Sequence, residues 1–160
     1  MEAFQRGTVV LVAEDDPHAL SGYLEFLGRS GFVASGTSSG TDALESALHT
    51  VPDIVVTDIM MPGLDGFALA AALRADRRTR HVPLVGMTGH WTTEMQNEAQ
   101  RAGFSAMLLK PCLPAHLLAE LERVLRHARL MSAALGCDTV GLEPAMPVGL
   151  RNAVMRRKAF

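Results

Sequence analysis

The chain has 160 residues, 48% of them hydrophobic and 20% charged, and carries a formal net charge of −2 at pH 7. Such a length suits one domain with a short tail, and burying roughly two-thirds of the unfolded surface gives it a core that needs no staples. The near-neutral balance excludes a globally basic nucleic-acid or membrane binder, and Cys112 and Cys137 have no metal-ligand spacing around them, so both are expected as free thiols of a reducing compartment.

The opening residues, MEAFQRG, lack the basic start and apolar stretch of a secretion signal. No apolar run approaches the ~18 residues of a membrane span. A soluble, cytoplasmic protein is expected.

The predicted elements alternate along the chain. Residues 8–13 form a first strand-like run, and Pro17 suits the first turn of a helix whose Leu20, Tyr23, Leu24 and Leu27 share a face, ended by Gly31. A second strand is predicted at 32–35. Thr41 is placed to cap the next helix, in which Leu44 and Leu48 stack at i,i+4. The third strand, 54–57, runs into Asp58, two methionines, a proline and a glycine; Asp65 or Gly66 then opens a helix over 67–74. Residues 84–88 make a fourth strand, and Thr92 or Thr93 caps a helix over 94–102 with a narrow stripe of Met95, Ala99 and Ala102. The fifth strand is 106–109. Pro114 starts the longest helix, with Leu117, Leu121, Val124, Leu125 and Ala128 inward and Gly136 as its stop.

Several strands read apolar on both faces (VVLVA, IVV, MLL), as strands covered on both sides do. Five of them alternating with five helices predict one open parallel α/β sheet with right-handed crossovers. Ligand sites in such sheets lie beyond the carboxyl ends of the strands.

Those ends carry a suggestive set: Glu14-Asp15-Asp16 after strand one, Asp58 after strand three, Thr88-Gly89 after strand four and Lys110-Pro111 after strand five. Each has an ordinary reading alone. An acidic triplet caps helices, Asp58 and Thr88-Gly89 suit turns, Lys110 suits a solvated surface, and Met60 and Met61 suit apolar loop cover. Together they are sorted by role. Two carboxylates ~4 Å apart at an effective dielectric near 20 repel by about 4 kcal/mol, so converging acids either raise a pKa or hold a cation. Hard oxygen ligands suit Mg²⁺. An ionised Asp58 could then act as a nucleophile towards a phosphoryl group, with Mg²⁺, the Lys110 ammonium and the Thr88 hydroxyl stabilising its oxygens.

Four motifs, VLVAEDDP (10–17), VVTDIMMPGLDG (55–66), VGMTGH (85–90) and LLKP (108–111), resemble in order and spacing the receiver domain of two-component response regulators. The resemblance covers roughly residues 7–130. It implies a flavodoxin-like (βα)5 three-layer sandwich of sheet order 2-1-3-4-5, with Asp58 as phosphoacceptor. It further implies Mg²⁺ held by Asp15 directly, by Glu14 partly through water, by Asp58 and by the backbone carbonyl of Met60, with Thr88 as switch hydroxyl, Lys110 as the catalytic lysine and a cis bond before Pro111. Thr88 and Lys110 are expected to gain partners only in the phosphorylated state. The phosphodonor would be a sensor histidine kinase or a histidine phosphotransfer protein. Output would run through the surface of the fourth helix, fifth strand and fifth helix, which could also support a homodimer; no nucleic acid or membrane contact is expected, and no enzymatic activity beyond self-phosphorylation and self-dephosphorylation.

The sequence departs from the family at Met107, where an aromatic residue is usual; an unbranched thioether offers neither ring nor hydroxyl, and Phe104 stands nearby to compensate. The resemblance also implies that Met60 and His90 occupy positions that tune phosphate lifetime. A receiver domain over 1–130 and a partly disordered extension over 131–160, ending in Arg151, Arg156, Arg157 and Lys158, complete the expected organisation. Three other readings stand beside it: a receiver fragment of a hybrid kinase or multidomain regulator, a dehalogenase-like hydrolase, and a purely structural adaptor that never receives phosphate. The second requires an Asp two residues after the nucleophile, where this chain has Met60.

Overall fold

The computed structural model of the chain describes residues 7–135. They form β1 (Val9–Ala13), α1 (Pro17–Arg29), β2 (Val33–Thr37), α2 (Gly40–Thr50), β3 (Ile54–Asp58), α3 (Gly66–Ala75), β4 (Leu84–Thr88), α4 (Thr93–Ala102), β5 (Ala106–Leu109) and α5 (Pro114–Ala134). Every pairing is parallel and the order is β2-β1-β3-β4-β5, the doubly wound sheet that the alternation predicts.

Period-two alternation along the strands divides the core in two. Leu11, Ala13, Val55, Leu84 and Met107 face α2, α3 and α4, whereas Val10, Val12, Val56, Met87 and Ala106 face α1 and α5. On α1 the predicted face is inward, with Tyr23 and Leu27 buried and Leu20 and Leu24 packed beside them. On α5 the inward row is Leu117, Leu121, Val124 and Leu125, all buried.

Three expectations need correction. The second strand begins one residue later than expected and runs on through Gly36 and Thr37, which pair with Val12 and Ala13. Pairing with a buried neighbour overrides the poor strand propensity of glycine, and a Cβ at Gly36 would lie 2.7 Å from Leu20 of α1. Helix α2 is capped by Ser39, whose Oγ accepts the Asp42 N–H at 3.1 Å, and not by Thr41. Its first residue, Gly40, runs so close to the Leu64 carbonyl that no side chain fits; a glycine at a helix start is easily misread as loop. Helix α5 runs through position 131 to Ala134, so the expected start of the extension falls inside the helix. Gly136, Cys137 and the basic cluster near the end lie outside the described residues.

The other caps fall where the sequence places them. Asp16 accepts the N–H groups of His18 and Ala19, Asp65 that of Ala68, and Thr92 that of Met95. Gly66 matters most for the strand ends. Its N–H donates to the Ile59 carbonyl at 3.0 Å, and a Cβ there would meet the Asp58 carbonyl and the Ile59 Cα, each at 2.7 Å. Gly66→Ala is therefore expected to destabilise the fold by about 1–3 kcal/mol through a backbone clash that no rotamer relieves; urea unfolding of the two proteins measures it.

Candidate functional site

The alternation that builds the core also assembles the site. Val12, Val56 and Leu108 all lie on the α1/α5 side. Two residues further along their strands come Glu14, Asp58 and Lys110, which the same period turns to that side. The ladder continues far enough to hold them: Glu14 N–H donates to Thr37 O at 3.1 Å, Ile59 N–H to Met87 O at 2.8 Å and Lys110 N–H to Thr88 O at 2.8 Å. Residues from three distant parts of the chain thus meet at one edge.

The Lys110 ammonium lies 2.7 Å from Asp58 Oδ2 and 2.6 Å from Glu14 Oε2. Glu14 is fully buried and Asp58 is 5% exposed. The remaining oxygens take backbone donors, Asp58 Oδ1 from Met60 N–H at 3.0 Å and Glu14 Oε1 from Asp16 N–H at 3.2 Å. Glu14 Oε2 touches the ammonium off the direction of a well-aligned hydrogen bond and has no other partner among the described residues.

Burial pushes the Glu14 carboxyl above its ordinary value, against the opposing pull of its contact with Lys110. At Lys110, burial works downwards, but the hydrogen bond to Asp58 and the close contact with Glu14 outweigh it and raise the ammonium's pKa. Lysine therefore stays charged while its buried partner resists ionisation. Repulsion from Asp58 is the smallest of the contributions at Glu14, so the rise reflects burial more than the convergence of acids.

The donor set fits a hard divalent cation. Carboxylate oxygens of Glu14, Asp15 and Asp58 lie within 4.8 Å of one another, with Asp15 exposed at the mouth. Three carboxylates face one ammonium, and a buried Glu14 oxygen keeps an open lone pair. An oxygen-rich, partly open group of this kind suits Mg²⁺, which retains several waters.

Two expectations change here. Lys110 is already paired with two carboxylates, because a largely buried ammonium is not left without counter-charge. Thr88 is fully buried, and its hydroxyl donates to His90 O at 2.8 Å while accepting His90 N–H at 3.2 Å. Any switch must exchange these partners instead of gaining new ones. Thr88 also belongs by parity to the α2/α3/α4 side, two residues beyond Gly86, and so approaches the edge from the opposite face.

Met60 is 69% exposed, and His90 is exposed as well. Met107 is buried against Gly86, its sulfur occupying the space that a Cβ on that glycine would need. Phe104 is engaged elsewhere, edge-on to Phe67 with ring centroids 5.9 Å apart. Tyr23 was legible only as a core residue; its hydroxyl in fact donates to the Cys112 carbonyl at 3.0 Å. A phenol on an otherwise aliphatic helix face was the available signal.

The family model described as "Response regulator receiver domain" matches residues 10–122. Among curated proteins, the chain is 34% identical over 135 residues to the transcriptional regulatory protein PrrA of Mycobacterium leprae, covering 84% of this chain and 57% of that protein. It is 31% identical to the response regulator Rre1 of Synechocystis, covering 84% and 58%. The chain thus spans little more than half the length of these relatives. Among solved structures, chemotaxis protein CheY4 of Vibrio cholerae superimposes with a TM-score of 0.71 at 26% identity, over 73% of this chain and 98% of that one. The receiver domain of the Pseudomonas aeruginosa sensor histidine kinase PA1611, solved with a magnesium ion in its active-site cleft, gives 0.69 at 27% identity, over 75% and 98%.

Lys110→Met should leave Glu14 and Asp58 facing each other without counter-charge and lower stability by about 1–3 kcal/mol in metal-free buffer. Saturating Mg²⁺ should recover part of that loss. Thermal unfolding of wild type and variant, with and without the ion, reads both effects.

Proposed function

The chain belongs to the response regulator receiver domain family, and on that premise we propose that it is a Mg²⁺-dependent phosphoacceptor switch that receives a phosphoryl group on Asp58. The observation that carries this reading is the Lys110 ammonium 2.7 Å from Asp58 Oδ2, beside the Glu14, Asp15 and Asp58 oxygen cluster. Glu14, Asp15, Asp58 and the Met60 backbone carbonyl would hold Mg²⁺. When bound, the ion supplies positive charge to phosphoryl oxygens and offsets the excess of carboxylates.

The chain's own residues divide the remaining work. An oxygen of Asp58 attacks phosphorus in line, the bond from phosphorus to the donor breaks, and the donor leaves as neutral imidazole, the second ring nitrogen of the phosphohistidine already carrying a proton, or, from acetyl phosphate, as acetate. Asp58 is fixed for this by the Met60 N–H on one oxygen and by Lys110 on the other. Lys110 then follows charge, trading a carboxylate contact for a phosphoryl oxygen. Thr88 can reach that group only by releasing His90, which couples phosphorylation to the β4–α4 turn. No substrate is turned over; the product is the modified protein.

The donor is proposed to be a sensor histidine kinase or a histidine phosphotransfer protein in the cytoplasm. Among the described residues no helix is long and apolar enough to cross a membrane. Output is proposed through the α4–β5–α5 surface, also the route to a homodimer. Helix α4 is lightly anchored, with Ala99 its one buried residue, and the Met107 thioether already fills the notch over Gly86. Readout by this surface therefore rests on α4 and the Thr88–His90 turn, without an aromatic rotation. One expectation gains no support: with PrrA named a transcriptional regulatory protein, absence of nucleic-acid contact does not follow from its relatives.

Incubation with acetyl phosphate and Mg²⁺ should add the mass of one phosphoryl group to the wild type and nothing to Asp58→Ala, and a chelator should abolish the gain. An unmodified wild type, or equal modification of the variant, would overturn the assignment. Phosphorylation should also shift backbone NMR signals across residues 88–107. Signals that stay in place would remove the proposed output route.

A further inference from the structure

The ring of Tyr23 lies in the α1/α5 core with 6% of the residue exposed, yet its hydroxyl does what no core leucine could. It crosses 89 positions of sequence to donate to the carbonyl of Cys112, in a buried setting. A phenol keeps its proton at neutral pH in any case, and burial pushes this one higher still, so the O–H is a standing donor.

Cys112 follows Lys110 by two residues and precedes Leu113, the cap position of α5, which gives that helix no side-chain cap. The stretch 110–113 is therefore neither strand nor helix, and it carries the ammonium of the site. At its start it is held by the Lys110 N–H on the Thr88 carbonyl. Near its end it is held by Tyr23. The helix bearing Tyr23 begins at the acidic edge itself, where Asp16 caps it immediately after Glu14 and Asp15. One helix thereby references the lysine-bearing loop to the carboxylates.

We propose that Tyr23 is a positioning residue for phosphoryl transfer, its hydroxyl setting where the 110–113 segment sits so that the Lys110 ammonium lies between Asp58 and Glu14. This rests on the reading of Asp58 as phosphoacceptor and adds a residue that touches none of the reacting atoms. A lysine head on a flexible stem takes its place from its backbone origin as well as from its counter-charges. Small displacements of charged groups at a reaction centre slow the reaction disproportionately.

The test compares wild type with Tyr23→Phe, which removes the hydroxyl and keeps the ring. At a temperature well below either melting transition, the rate constant for phosphorylation by acetyl phosphate should fall about three- to tenfold. Mg²⁺ affinity, followed by Trp91 fluorescence, should stay within twofold of wild type (roughly the scatter of such a titration), because the oxygen ligands are untouched. Backbone amide signals of Lys110, Cys112 and Leu113 should shift. Tyr23→Leu, which also loses the ring, should melt earlier and be no slower than Tyr23→Phe once its folded fraction is counted. If Tyr23→Phe is phosphorylated at the wild-type rate, or the three amide signals do not move, the positioning role is overturned while Asp58 keeps its own. If wild type itself takes no phosphate on Asp58, the functional reading fails first and this inference falls with it.

Discussion

The Lys110 ammonium, held between a fully buried glutamate and a nearly buried aspartate, is the interaction on which the rest of the structure turns. It draws on β5 for the cation and on the ends of β1 and β3 for the anions, so it exists only when the sheet is closed in the order β2-β1-β3-β4-β5. Buried ion pairs of this kind are poor sources of stability, since desolvation offsets much of their attraction. Their presence at one edge of a well-packed sheet is better understood as placement of charge. The raised Glu14 pKa agrees, because a group optimised for stability would ionise easily.

Much of this arrangement could be read from the chain. Runs apolar on both faces specify strands covered twice, and period-two counting from Val12, Val56 and Leu108 leads to Glu14, Asp58 and Lys110 on one side. The same counting sends Thr88 to the other. What could not be read depends on close approach between distant segments. Gly40 opens α2 because it packs against the Leu64 carbonyl, and Gly36 continues β2 because α1 leaves no room for a side chain. The partners of Lys110 and Thr88 escaped for a related reason: a buried polar group takes whatever counterpart the fold offers, and local sequence does not name it.

On the proposed reading, switching in this molecule would be a matter of exchange. Thr88 is tied to both backbone groups of His90, and Lys110 to two carboxylates, so each new contact requires an old one to break. Such an exchange is bistable, which suits a signal better than gradual tightening. Next to it lies α4, with a single buried residue, and beneath it Met107 is lodged in the space over Gly86. The rigid part of the site and the loosely held part of the surface are joined by one short turn.

Calorimetric titration of Mg²⁺ into wild type and Asp15→Asn tests most directly whether the clustered oxygens form a cation site. Asp15 is exposed, so its replacement leaves the Lys110 contacts in place and removes only a ligand. Saturable binding of one ion by the wild type is expected, weakened at least about tenfold in the variant. Absence of saturable binding, or equal affinity in both proteins, would contradict the presence of that site.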